Sequence, residues 1–208
     1  MIIERGADPG PFSKPRDYVS QLREVFRRRC AYCLTSDERL GGEEGMKVDH
    51  FMPESRRPDL RLAWANLYYC CDVCNNRKSN YPTPVEMANG ERFVDPCIED
   101  PEDHFRLAIE PGTGDYCLVA SLSLAAEYEV QRLQFNRRSF LRDFWRELSA
   151  EERNWIVQRN SVIELCDGVI HEDEDACWLL TECDRHLSNL CDLWPFPRHT
   201  ALETDPAQ

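Results

Sequence analysis

Two Cys-x2-Cys pairs constrain this chain more than anything else in it. Cys30 and Cys33 close C-A-Y-C, Cys71 and Cys74 close C-D-V-C, and 37 residues separate the pairs. Thiolates at i and i+3 can grip one ion from a tight knuckle, and two knuckles supply the four tetrahedral ligands that Zn2+ prefers. The competing reading is a disulfide framework, which needs an oxidising compartment. The opening residues, M-I-I-E-R-G-A-D-P-G-P-F, lack the basic region and apolar core of a secretory signal. Eleven cysteines in a signal-less chain of 208 residues therefore point to metal and to a cytoplasmic location. Four thiolates leave no open position for water, so the zinc is expected to be structural. Cys70 could replace Cys71 in a C-x3-C with Cys74, but the double C-x2-C symmetry favours Cys71.

Between the pairs lies V-D-H-F-M-P, Val48 to Pro53. A closed zinc knuckle has no use for Asp49 and His50, whereas a metal-assisted hydrolase does. It needs a carboxylate for a hard divalent cation and a neutral imidazole to take a proton from water. Adjacent residues of a strand point to opposite faces, so both reach one phosphate only if the strand ends there, and Pro53 is consistent with that. Asn75 follows Cys74 directly, and its amide oxygen is a second candidate ligand for the cation. Asn66 can hydrogen-bond backbone and hold the loop that carries His50. The bland alternative for either Asn is a cap or turn. Arg77 and Lys78 follow on an expected helix. They are candidates to bind the substrate phosphates, or else a solvated face.

The elements place these residues. Val19, Leu22 and Phe26 form a helical stripe within 16–29, and residues 47–52 read as a short strand ending at Asp49-His50. Pro53 and Pro58 exclude regular helix over 53–61. A helix is expected from residue 72, just after Cys71. T-P-V-E at Thr83 to Glu86 starts another, with a capping Thr and Pro at the first position. H-F-R-L-A-I-E, P-G-T-G and Y-C-L-V-A read as a β-hairpin over 104–120. From 126 onward the pattern is helical, with S-A-E-E at Ser149 to Glu152 read as a second helix start and a last helix over about 175–194. Cys183, Cys191 and the tryptophans Trp145, Trp155 and Trp178 read as core. Cys166, Cys177, Cys183, Cys191, His171 and His186 are spaced for packing and not for a second metal site. A boundary near residue 95 divides a module over 1–95 from a mainly helical region over 96–208.

The net charge of -13 is unevenly spread. Residues 1–80 hold 14 Lys/Arg against 12 Asp/Glu, and residues 81–208 hold 11 against 26. The second part repels phosphate, which argues for a partner or a screened site. No apolar run approaches the ~18 residues of a membrane span.

C-x2-C, V-D-H-F-x-P, N-L and C-x2-C-N-x2-K, in that order over residues 30–80, resemble the HNH endonuclease superfamily in its four-cysteine ββα-metal branch. The resemblance implies an α+β fold, a ββα-metal module with structural zinc followed by a mainly helical region containing a β-hairpin. It implies that His50 is the general base, that Asp49 and Asn75 hold catalytic Mg2+ or Mn2+, that Asn66 supports the His50 loop, and that Cys30, Cys33, Cys71 and Cys74 bind zinc. The last motif position is Asn75 where some branches carry His. F-V-D-P at Phe93 to Pro96, the hairpin and L-Q-F-N-R at Leu133 to Arg137 resemble standalone bacterial HNH proteins, among them nuclease subunits of anti-phage systems such as Septu. That likeness implies DNA as substrate, RNA as the alternative, and control by an ATPase partner docked on 96–208. A restriction-type nuclease is a further alternative. So is a non-catalytic zinc module that binds nucleic acid or protein, which would need the cysteines but not Asp49, His50 or Asn75.

Overall fold

Strand β1 (Met46–His50) pairs antiparallel with β2 (Leu67–Cys71), from Met46 opposite Cys71 to His50 opposite Leu67. All five β2 residues, L-Y-Y-C-C, are buried, as in a strand covered on both faces. Helix α2 (Asp72–Lys78) follows at once, and the Cys71 sulfur accepts the Cys74 N–H at its start. The computed structural model describes residues 2–109, 112, 116–165 and 174–191. Strand, strand and helix in that order form the expected ββα module.

Helix α1 (Val19–Val25) packs on this hairpin through buried Leu22. It ends four residues short of the helix expected over 16–29. Arg27 and Arg28 adopt positive φ, and the chain reverses there to deliver Cys30. Asp37, fully buried, accepts from Arg23 Nε at 2.6 Å and from the Tyr69 hydroxyl at 2.9 Å, which ties α1 and the 34–40 segment to β2. The N-terminal arm is pinned by Arg5. Its guanidinium lies 4.2 Å from the Tyr68 ring centroid and donates to the carbonyls of Trp64 and Leu67 at 2.9 and 2.8 Å. Burying a cation this way pairs it with both a π face and backbone acceptors.

Helix α3 (Pro84–Ala88) starts at the capping box read in the sequence. Glu86 Oε2 accepts the Thr83 N–H at 2.6 Å, and Thr83 Oγ1 accepts the Glu86 N–H at 3.3 Å. Strands β3 (Phe105–Ile109) and β4 (Tyr116–Ser121) pair as the hairpin expected over 104–120, and the residues between them lie mostly outside those described. Helix α4 (Leu124–Leu133) is followed by α5 (Ser139–Leu165) and α6 (Glu174–Cys191).

The chain divides into two compact units, Met1–Arg106 with Val119–Phe135, and Leu107–Leu118 with Asn136–Gln208. The first unit extends past residue 95 because residues after it return. Glu129 on α4, buried, accepts the Val94 N–H at 2.9 Å, and Arg132 pairs with Glu86 at 2.7 Å. Burial pushes the Glu129 carboxyl up to about 8.

In the second unit α5 runs unbroken through Ser149, so S-A-E-E is not a helix start. Ser149 and Glu152 are buried, and Ser149 Oγ accepts the Tyr116 N–H instead of capping. Leu141, Phe144, Trp145 and Leu148 are buried along α5. Ala176, Cys183 and Leu190 are buried, but Leu179 and Trp178 are 43% and 62% exposed, so Trp178 is not core. Trp155 stacks on His186 at 4.0 Å between ring centroids. Cys166 and His171 lie outside the described residues.

Candidate active site and metal centre

The four knuckle sulfurs converge. Those of Cys30, Cys33, Cys71 and Cys74 all lie within 4.8 Å of one another, and all four residues are buried. Zn–S bonds of about 2.3 Å place tetrahedral sulfurs ~3.8 Å apart, so this cluster closes on Zn2+ with a small contraction. Cys71 supplies the fourth sulfur. Cys70, also buried, is not part of the cluster. The knuckle is brought to β2 by the Ala31 N–H, which donates to Tyr69 O at 2.8 Å, and its own turn is closed by the Cys30 N–H on Thr35 O at 3.0 Å. Leu34 turns the chain with φ 53°. Burial pushes the Cys30 and Cys74 thiols well up, whereas the hydrogen bond from Cys30 draws Cys71 down. A cation at the centre favours the thiolate at every position. Among the described residues this is the cluster of His, Cys and acidic side chains able to hold a metal.

Asp49 and His50 leave β1 in opposite directions, as adjacent strand residues do. Asp49 points inward. Its Oδ2 accepts from the Tyr32 hydroxyl at 2.5 Å and from Lys78 Nζ at 2.9 Å, with Lys78 at 3.3 Å from Oδ1. His50 ends the strand with its ring 15% exposed. Its Nε2 lies 2.9 Å from the Arg61 carbonyl oxygen, which can only accept. The proton of the neutral ring therefore sits on Nε2 and the lone pair on Nδ1. Glu54 Oε2 is 3.8 Å from Nδ1, beyond direct hydrogen-bond length, and Glu54 Oε1 holds Arg61 Nε at 3.0 Å.

Asn66 secures the loop that follows His50. Its Oδ1 accepts the Met52 N–H at 2.7 Å, and its Nδ2 donates to Met52 O at 3.1 Å and Leu60 O at 3.4 Å. Asn75 is half-buried on α2, one turn before Lys78 and on the same side of the helix.

Lys78 does not fit the substrate-binding role expected of it. It is fully buried, and its ammonium is spent on Asp49 and on the His50 carbonyl at 2.8 Å. An ion inside the module needs those partners and cannot reach a phosphate outside it. Arg77 is engaged as well, donating to Leu133 O at 3.1 Å and Gln134 Oε1 at 2.6 Å, so it ties α2 to the end of α4. Tyr32, Glu54 and Arg61 were not singled out in the sequence. The one signal was position: Tyr32 sits inside C-A-Y-C, and Glu54 is four residues after His50.

Asp49 and Asn75 offer oxygen donors, which suit a hard divalent cation. Asp49 fits as a one-oxygen ligand, because Oδ2 is filled and Oδ1 keeps lone-pair capacity beyond its single long contact.

A hairpin, a helix and four converging sulfurs define a four-cysteine ββα module, and residues 30–81 match the family model described as HNH endonuclease. Over 98 residues the chain is 30% identical to the Septu protein PtuB of Bacillus thuringiensis. The aligned stretch is 47% of this chain and 33% of that protein, so the chain spans about a third of the relative's length. No solved structure matches the chain.

Proposed function

We propose that this chain is a metal-dependent endonuclease that hydrolyses phosphodiester bonds of DNA. The observation that carries the reading is the His50 ring, whose tautomer is fixed by the Arg61 carbonyl so that Nδ1 presents a lone pair at the end of β1. There His50 takes a proton from the attacking water as general base. Asp49, with Asn75 across the module, would hold Mg2+ or Mn2+, which when bound stabilises the negative charge developing on the leaving 3' oxygen. Asn66 keeps the 51–60 loop, and with it the Arg61 carbonyl, in place behind the ring. Zinc on the four cysteines builds the module and takes no part in the reaction.

The partial likeness to a Septu protein supports a role in anti-phage defence, in the cytoplasm, alongside an ATPase partner. The acidic residues 96–208 are the docking region for that partner. Their charge supports this, since it disfavours unaided grip on nucleic acid. The competing non-catalytic zinc module is favoured by one observation, the engagement of Asp49 with Tyr32 and Lys78.

Plasmid nicking with Mg2+ or Mn2+, with the partner present, separates the two. His50→Ala is expected to lose about 10²- to 10⁴-fold in rate while keeping its zinc and its melting temperature. Equal cleavage by the variant and the wild type would defeat the enzyme reading.

A further inference from the structure

We propose that Tyr32, the residue inside the first zinc knuckle, is the positioning residue that orients Asp49 toward the divalent cation, so that zinc and cation sites are mechanically joined. The inference rests on Asp49 being a ligand of that cation.

Tyr32 lies between two zinc ligands, Cys30 and Cys33, so its backbone has no freedom once the sulfurs are tied. Its ring is buried, 5.9 Å from the Phe93 centroid and 6.5 Å from that of Tyr68. The hydroxyl meets Asp49 Oδ2 at 2.5 Å, a length typical of a charge-assisted O–H···O bond. The phenol hydroxyl is the donor and the carboxylate oxygen the acceptor of this bond. A carboxylate on its own turns freely about its last torsion. Here Tyr32 and Lys78 converge on Oδ2, at 2.5 and 2.9 Å, and the plane of the group is set. Oδ1, whose one printed contact is Lys78 Nζ at 3.3 Å, is the oxygen left to present. Hydrogen bonds of this kind to a ligating carboxylate fix its orientation, and their loss commonly costs about 10- to 100-fold in metal affinity.

The same bond reaches from one site to the other. Helix α2 carries Cys71's neighbour Cys74 and, four residues on, Lys78, while the opposite knuckle carries Tyr32. Asp49 is therefore held from both knuckles at once. Nothing else named on β1 is held in this way.

The test is Mn2+ binding by the zinc-loaded full chain, followed by the EPR signal of free Mn2+. Tyr32→Phe removes only the hydroxyl. It is expected to keep one zinc per chain and to weaken Mn2+ about 10- to 100-fold. Asp49→Ala reports on the underlying reading and is expected to abolish the Mn2+ site. If Asp49→Ala binds Mn2+ like the wild type, or the wild type binds none, the ligand reading fails and the proposal falls with it. If Asp49→Ala loses binding while Tyr32→Phe does not, the ligand reading stands and the Tyr32 proposal is overturned. Phe93→Leu loosens the packing on the Tyr32 ring without touching its hydroxyl, and is expected to bind Mn2+ within about twofold of wild type. A loss there equal to that of Tyr32→Phe would assign the effect to packing and overturn the proposal, also in the case where Tyr32→Phe folds poorly.

Discussion

The two ends of the β1–β2 hairpin are built from the same five-residue ladder and held by different means. At one end Met46 faces Cys71, and four buried sulfurs surround a place for a cation. At the other end His50 faces Leu67, and the chain leaves into an irregular segment that runs to Asn66. The ends are roughly 14 Å apart at about 3.4 Å per residue. The sulfur end can be ordered by a single ion. The His50 end has no such staple, and its order is borrowed: from Lys78, which α2 carries back to Asp49 and the His50 carbonyl, from Tyr32, and from the amide of Asn66. On the proposed function this end has to stay open on one side for substrate, and polar bonds from behind hold it without closure around an ion.

If the sulfur end supports both, breaking it has the largest effect. Cys74→Ser removes one of four ligands. Structural zinc contributes about 10–16 kcal/mol to the folding of zinc-finger peptides, as much as the whole stability of an ordinary domain. The variant is expected to carry no stoichiometric zinc by elemental analysis and to lose the cooperative melt of the module. A Cys74→Ser protein that keeps its zinc and melts like the wild type would show that the two ends are ordered independently. Lys78→Met comes next. It leaves the Asp49 carboxylate buried without its cation, a change that costs about 3–5 kcal/mol. Urea unfolding should show that loss with zinc retained. The double variant Asp49→Asn with Lys78→Met removes the stranded charge and should recover most of it, since the two residues are in contact. No recovery would mean that Lys78 contributes through packing of its stem and not through the pair.

Legibility differed between the ends for a physical reason. Metal ligands are few in kind and fixed in spacing, so Cys30, Cys33, Cys71 and Cys74 could be read as one cluster from spacing alone, together with the strand-strand-helix order and the capping box at Thr83. The His50 end depends on where side chains go. Nothing local to R-K at 77–78 distinguishes a solvated helix face from a residue aimed inward, and Lys78 is fully buried. Tyr32 became visible only once Asp49 was seen to face it. Ser149 failed for the opposite reason. S-A-E-E has the right composition for a cap, but the side chains on either side, Leu148 and Glu152, are buried along one continuous α5, and packing outweighed the local signal.

The smallest expected effect tests whether the His50 end is held by its own bonds at all. Asn66→Ala removes three hydrogen bonds, two of them to Met52, from part-buried backbone groups of the 51–60 segment. With water able to take over part of these bonds, the loss is about 1–3 kcal/mol in all, so local opening should become roughly 5- to 150-fold more frequent. Trypsin reads this directly, because Arg56 lies inside the segment and Arg61 just after it, while Arg57 precedes Pro58 and is cut poorly. When opening is fast relative to cleavage, the rate follows the open population. Cuts after Arg56 and Arg61 should therefore quicken by that factor, with zinc content unchanged. If they do not, the segment is held chiefly by its apolar contacts and by the sulfur end, and the His50 end has less independence than its hydrogen bonds imply.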